Sequence, residues 1–426
     1  MVPMRDGVRL GTGVHLLPAP GRLPTVLIRT PYEDTLIPGL VDRFTEAGFA
    51  VVAQDVRGRL RSEGVGEPFR QELADGSDTC DWIVRQPWSD GSVCCWGNSY
   101  YGFAAWAAVA SGHTAIRAAV TRYITTDIGG ELVRRNGVLR LGPMVEWLRD
   151  TWRGRRLASL PGPGPYFGPA AVPMLHCAGW FDSFQAGQLA DWRRSRGGAL
   201  LIAATDHQDD HFEFDRASPD HFVDPVAREA MLDRSLSPVI DFLRGARPAP
   251  VRWELTGAGP RTADTWPPPA QPLVLSLGSV GWEHDPDDPV PCLERDWWRP
   301  LLELVDERVI EGRPDVVTFT SRAWADDLDL AGPVSLRVTL AAEGTLVVKL
   351  CEVGPDGRGR RLLEAPCHGV GVLTVPIGDL GYRLRAGHRL RVQLASSCFP
   401  LYPVDPLPYR QRIEDAELRL SVLAAT

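Results

Sequence analysis

Short continuous apolar runs recur through the first 121 positions, and stretches of helical spacing separate them. Thr25-Val26-Leu27-Ile28-Arg29-Thr30 and Phe49-Ala50-Val51-Val52-Ala53-Gln54-Asp55 predict buried strands. Leu40 to Ala47 predicts a helix closed by Gly48, and Asp75 to Arg85 another, with Cys80, Trp82 and Ile83 on one face and Pro87 as a stop. Ala115 to Val120 is the next strand. Strands alternating with helices imply a parallel sheet with right-handed crossovers. The pattern resumes at Ala171 to Asp182, continues at Gly198 to Ala203, and ends with a helix over Arg228 to Leu243.

Between these halves the pattern changes. Residues 122–170 carry arginine-rich pieces, Glu131 to Leu139 and Met144 to Trp152, that predict helices, then the loop Pro161-Gly162-Pro163-Gly164-Pro165. This predicts a helical cap inserted over the sheet. Past Arg244-Gly245 helical signal gives way to short β-rich runs between Gly, Pro and Asp turns: Val251 to Leu255, Leu273 to Leu277, Val316 to Thr320, Val334 to Leu340, Leu346 to Glu352, Gly371 to Val375, Arg389 to Ala395 and Glu417 to Val422. That spacing predicts a β-sandwich. The expected division is 1–121 with 171–245 as an α/β unit, 122–170 as the cap, and 246–426 as an all-β domain.

Composition changes this picture little. At 426 residues the chain exceeds one hydrophobic core, and 44% hydrophobic with 23% charged residues is ordinary for a globular protein. A net charge of −8 argues against nucleic-acid binding. No apolar segment approaches membrane-spanning length and no basic-then-apolar start is present, so a cytoplasmic protein without membrane partners is expected. Cys80, Cys94, Cys95, Cys177, Cys351 and Cys398 lie in apolar or strand-like runs and read as small buried hydrophobes. No zinc spacing occurs, and neither metal nor cofactor is expected.

The chemistry gathers at Val93-Cys94-Cys95-Trp96-Gly97-Asn98-Ser99-Tyr100-Tyr101-Gly102, followed by the Ala-rich Phe103 to Ala110. Strand, sharp turn and helix in that order put Ser99 at the apex, with Gly97 and Gly102 where the two backbones converge. An ordinary Gly-rich turn is the bland alternative, and context must decide. A serine needs a base, and the base needs an orienting carboxylate, at the ends of later strands. Asp182 and His207 fit best. His176 lies inside a strand, His113 follows the serine helix too closely, His211 and His221 lie farther along an acidic loop, and Asp206 adjoins His207. The Tyr100 amide is one oxyanion donor. Tyr32, after the strand 25–30, is either the second donor or a loop aromatic packed under the cap.

Several motifs resemble one serine-hydrolase family: Met4-Arg5-Asp6-Gly7-Val8-Arg9-Leu10, Arg29-Thr30-Pro31-Tyr32, Gln54-Asp55-Val56-Arg57-Gly58-Arg59, Asp75-Gly76-Ser77-Asp78-Thr79, Gln86-Pro87-Trp88-Ser89-Asp90-Gly91 and the Ser99 turn. The family contains cocaine esterase, α-amino-acid ester hydrolases, cephalosporin acylases and X-Pro dipeptidyl-peptidases. Gly179-Trp180-Phe181-Asp182 resembles the stretch carrying its acid, and Arg389 to Tyr402 the end of its C-terminal jelly roll. The resemblance implies an α/β-hydrolase fold plus jelly roll, the triad Ser99, Asp182 and His207, and an oxyanion hole of Tyr32 and the Tyr100 amide. Two departures stand out. Ala203-Ala204-Thr205-Asp206-His207 replaces the usual Gly-Pro-Trp region, and the cap and jelly roll are short.

The expected activity is hydrolysis of an ester or amide of a small acyl compound through an acyl-enzyme. Acyl transfer to an amine or alcohol and an inactive binding scaffold are the alternatives. An X-Pro peptidase is disfavoured because no added N-terminal domain is recognised. Asp209 and Asp210, in the run after His207, are either a binding pair for a substrate ammonium or part of a solvated acidic loop.

Overall fold

The N-terminal apolar runs pair into one nine-stranded sheet. Its order is Gly259–Ala263, Val251–Leu255, Ala199–Ala203, Met174–Gly179, Ile116–Arg122, Ser89–Asn98, Leu23–Thr30, Ala50–Asp55 and Thr12–His15. The seven inner strands are parallel and each edge strand is antiparallel. The computed structural model describes every residue except 19–20, 33–36, 196–197 and 425–426.

Helices cover both faces, as buried parallel strands require. On one side α2 (Glu72–Ile83) and α3 (Tyr100–Ala110) bury Cys80, Ile83, Phe103 and Trp106 against Val93 and Cys95. On the other, α1 (Leu40–Glu46) and α6 (Pro225–Leu243) bury Leu40, Phe44, Leu232 and Leu236 against Cys94 and Trp96. The two neighbouring cysteines thus face opposite ways, as a strand demands. Asp224 starts α6 by accepting from the amides of Val226 and Ala227, with Pro225 at the first turn. Among the described residues, no helix is long and apolar enough to cross a membrane.

Two sequence expectations change here. Val251–Leu255, expected in the sandwich, pairs in parallel with Ala199–Ala203 and then turns back into Gly259–Ala263. The long α6 is a crossover helix, and a crossover returns the chain to the same sheet. Glu131 to Leu139 is not a helix but a π-helical turn (Ile128–Leu132) and a small hairpin of Arg134–Arg135 with Val138–Leu139. Its turn is Asn136-Gly137, both at positive φ (47° and 83°), the backbone of a tight hairpin. Between them and the next strand lies α4 (Leu141–Thr151), where a helix was expected.

The C-terminal region is one curled seven-stranded sheet of jelly-roll type. The runs 334–340 and 346–352 are not separate strands but parts of Leu328–Val353, which pairs with Gly359–Leu384. Register shifts at Val334/Ser335, Leu340/Gly344 and Leu350/Cys351 bend the pair, as bulges do. Its core (Leu336, Val338, Leu350, Leu394, Leu418) is continuous with Trp180, Trp253 and Leu255 of the parallel sheet. The two regions therefore share buried apolar surface beside the strand end that carries Asp182.

Candidate active site

Ser99 has φ 53° and ψ −130°, immediately before α3. A non-glycine residue held there costs roughly 1–3 kcal/mol of backbone strain. Close packing enforces it. A Cβ on Gly97 would lie 2.1 Å from the carbonyl carbon and oxygen of Tyr101, and one on Gly102 would meet Ile124 at 2.7 Å. Strand and helix can meet this closely only with glycine at both positions.

Ser99 Oγ lies 3.0 Å from Nε2 of His207, and Nδ1 of His207 lies 2.8 Å from Oδ1 of Asp182. With Nδ1–H donating to the carboxylate, Nε2 accepts the serine proton. Both partner side chains are buried, at 4% and 0% exposure, which strengthens their interaction. Asp182 follows Met174–Gly179, on a turn held by Trp180, whose Nε1 donates to Glu254 O at 2.6 Å. Gln185, the first residue of α5 (Gln185–Arg194), extends the brace into the C-terminal sheet, donating to Asp379 O at 2.7 Å and accepting from Asp379 N at 2.8 Å.

The acidic loop after His207 is buried at its near end and exposed by Asp215. Asp209 and Asp210 are 3% and 1% exposed. Arg122 Nη2 donates to both oxygens of Asp209 (2.7 and 2.9 Å), and Tyr123 OH donates to Oδ1 at 2.6 Å. Arg299 forks onto Asp210 at 2.6 and 2.9 Å. Every oxygen of the pair already serves an internal cation, so the ammonium-binding role considered for them does not fit the geometry. Asp206 accepts from the amides of Gln208, Asp210 and Leu301, and burial followed by the Asp210 charge raises its pKa well above the usual carboxylate range. Asp206, Asp209 and Asp210 form a buried lattice that fixes the histidine loop. Charge runs usually mark solvated faces, and the arginines that reverse this one lie far away in sequence.

On the opposite side of Ser99, Tyr32 OH accepts from Trp147 Nε1 at 3.1 Å, and Tyr32 and Ser99 line the same cavity. Accepting from Trp147 leaves the Tyr32 proton free to donate toward the serine, and burial raises the phenol pKa, keeping it protonated. Tyr100 is the first residue of α3, where an amide has no acceptor within the helix. Its ring points away: the hydroxyl donates to Glu72 at 2.8 Å and accepts from Phe69 N at 3.0 Å. Glu72 pairs with Arg29 at 2.8 Å, and Asp75 with Arg57 at 2.6 Å. Arg59 donates to Pro31 O at 2.8 Å, steadying the turn before Tyr32. These motif arginines and acids are a buried frame beneath the serine and make no direct contact with the cavity.

The serine opens into a cavity of about 440 Å³ with mostly apolar walls, including Phe69, Trp147, Phe184 and Trp298. Phe184 and Trp298 each lie 5.1 Å from the His207 ring. Trp147 sits on α4 and Trp298 on the loop after Val280–His284, so insertion and C-terminal region each supply a wall. Sequence reasoning did not single out Trp147, Phe184, Trp298 or Arg299, since no local pattern separates them from other aromatic or basic loop residues.

The rival histidines have other partners. His176 is fully buried between Ser195 Oγ (3.0 Å) and Gln188 Nε2 (3.0 Å), and burial pushes its pKa down to about 3. His113 pairs with Asp81 at 3.2 Å, His211 with Glu254 at 2.9 Å and His221 with Asp210 at 3.3 Å.

Residues 6–159 match the model of the X-Pro dipeptidyl-peptidase (S15 family), and residues 245–421 match that of the X-Pro dipeptidyl-peptidase C-terminal non-catalytic domain. The chain belongs to this family of serine hydrolases. Cocaine esterase of Rhodococcus sp. (strain MB1 Bresler), 26% identical over 534 aligned positions, covers 94% of this chain and 91% of its own length. An aminopeptidase from a marine sediment Thaumarchaeota archaeon has the same fold, with TM-score 0.84 and 21% identity over 100% of this chain and 96% of its own. An α-amino-acid ester hydrolase superposes with TM-score 0.79 and 22% identity over 99% and 95% of the two chains. Family membership brings serine-hydrolase chemistry of the esterase or peptidase kind.

Proposed function

We propose that the chain hydrolyses an ester or amide bond of a small acyl compound through a covalent intermediate on Ser99. His207 Nε2 takes the Ser99 proton as Oγ attacks the carbonyl, while Asp182 holds the ring and stabilises the imidazolium. The Tyr32 hydroxyl and the Tyr100 amide receive the oxyanion. His207 then returns the proton to the leaving group, the acyl-enzyme forms, and water activated by the same nitrogen releases the acid. The observation that most supports this is the unbroken path from Ser99 Oγ through His207 to Asp182, at 3.0 and 2.8 Å.

The names of the relatives span ester and amide substrates. The apolar walls and the internal use of Asp209 and Asp210 favour an uncharged apolar acyl group over an α-amino-acyl group. Those walls also favour an amine or alcohol competing with water for the acyl group, so acyl transfer is the second reading. A fluorophosphonate probe tests the nucleophile: the natural chain is labelled, and Ser99→Ala is not. Equal labelling of both, or none of either, overturns the proposal. Product analysis with p-nitrophenyl esters, amino-acid amides and a competing amine separates hydrolysis from transfer.

A further inference from the structure

Behind Asp182, away from the substrate cavity, lies a second chamber of about 100 Å³, room for roughly three waters. Asp182 and Arg140 both line it. Only Oδ1 of Asp182 is engaged by His207; Oδ2 is buried with no hydrogen-bond partner among the described residues. Arg140 is 3% exposed, and its Nε is likewise buried and unpartnered. Among the described residues its one hydrogen bond to a carbonyl, Nη1 to Glu131 O, is long at 3.4 Å. A buried donor and a buried acceptor that share a polar chamber require a bridge.

Arg140 is also misplaced for stability alone. It precedes α4 at the N-cap, the positive end of the helix dipole, where a cation is unfavourable. Burial lowers its pKa, with the charges of Glu364 and Asp182 opposing that effect. Other charged groups line the same chamber, Arg135, Glu213, Glu294, Glu303, Arg216, Arg360, Arg361 and Glu364 among them. Glu364 gives one oxygen to Tyr402 OH at 2.7 Å and keeps Oε2 buried and unpartnered, a second acceptor beside Arg140; Arg361 pairs with Glu294 at 2.9 Å, and burial raises the pKa of Glu131. Arg135 is a further cation, so it cannot serve as a counter-charge. The guanidinium also stacks over Phe184 at 5.8 Å, the ring that meets His207 at 5.1 Å.

We propose that Arg140 is a positioning residue for the hydrolytic site, hydrogen-bonded through water in this chamber to Oδ2 of Asp182 and holding that carboxylate ionised against His207. This rests on the assignment of Asp182 and His207 made above. A cation beside the hydrogen-bonded Asp182 and His207 opposes any further positive charge there. Removing the cation therefore makes protonation easier.

The test compares Arg140→Met and Arg140→Lys with the natural chain. Two readouts are followed against pH: the fluorophosphonate labelling rate and the downfield NMR signal of the His207 imidazole proton. Arg140→Met is expected to move the acid limb of both upward by about 0.5–1 pH unit, the effect of one charge several ångströms away. It should also slow labelling by about 3–10-fold on that acid limb, while Arg140→Lys keeps both near the natural values. A folded Arg140→Met with an unmoved limb overturns the proposal, as does an equal shift in Arg140→Lys. If Arg140→Met does not fold, Arg140→Gln makes the same comparison. If the natural chain is not labelled at all, the hydrolase reading fails, while the NMR titration still judges the link between Arg140 and the pair.

Discussion

The Ser99 turn can be perturbed by a single methyl group. Gly97→Ala places a Cβ 2.1 Å from the Tyr101 carbonyl and 2.4 Å from the Gly102 amide, short by 1.3 Å of the 3.4 Å at which ordinary contact begins. The atoms it meets are backbone, so no side chain can rotate away. The first turn of α3 must retreat by about the width of that overlap, carrying Ser99 and the Tyr100 amide with it. Misplacing reacting groups by about 1 Å costs on the order of 10²-fold in rate, and overpacking costs about 1–3 kcal/mol of stability. Fluorophosphonate labelling should slow about 100-fold, with a lower urea midpoint. Gly168→Ala is the control, since a Cβ there meets nothing within 4 Å. Labelling of Gly97→Ala within about 3-fold of the natural rate, with an unchanged midpoint, would refute the strained-turn argument.

Asp182→Asn keeps the shape but favours the wrong imidazole tautomer, so turnover should fall about 10⁴-fold with little change in urea stability; a small loss would remove Asp182 from the mechanism. Asp209→Asn leaves Arg122 buried beside a neutral group and should cost about 3–5 kcal/mol, slowing amino-acyl and neutral-acyl esters alike. A selective loss on amino-acyl esters would instead restore a substrate role. His176 takes no proton in the fold until about pH 3, whereas its unfolded value is 6.5. The unfolded chain therefore gains protons as pH falls below 6.5, and stability present above that pH is lost. Between pH 7 and pH 5 this amounts to about 2 kcal/mol, and His176→Gln should remove that part of the acid sensitivity in urea melts at the two pH values.

The parallel strands were legible because each is a short apolar run buried on both faces, and the Ser99 turn because glycine sits where two backbones nearly touch. Val251–Leu255 was misassigned because its alternation fits either sheet; only the crossover made by α6 decides. The Asn136-Gly137 hairpin carried a readable signal that the surrounding arginines obscured. Asp182 and His207 followed from strand ends and chain order. The fate of Asp209 and Asp210 did not, because it depends on Arg122 and Arg299, 87 and 89 positions away. Trp298 was equally hidden: its place beside His207 is set by packing between distant segments.

The central claim is that the Ser99 oxygen becomes acylated during turnover. Rapid quenching of the chain with a slowly deacylating p-nitrophenyl ester, followed by peptide mass spectrometry, tests it directly. The acyl mass is expected on the peptide holding Ser99 and is expected to be absent in His207→Ala. Product release with no adduct at any time point, or an adduct on another residue that survives Ser99→Ala, would contradict it.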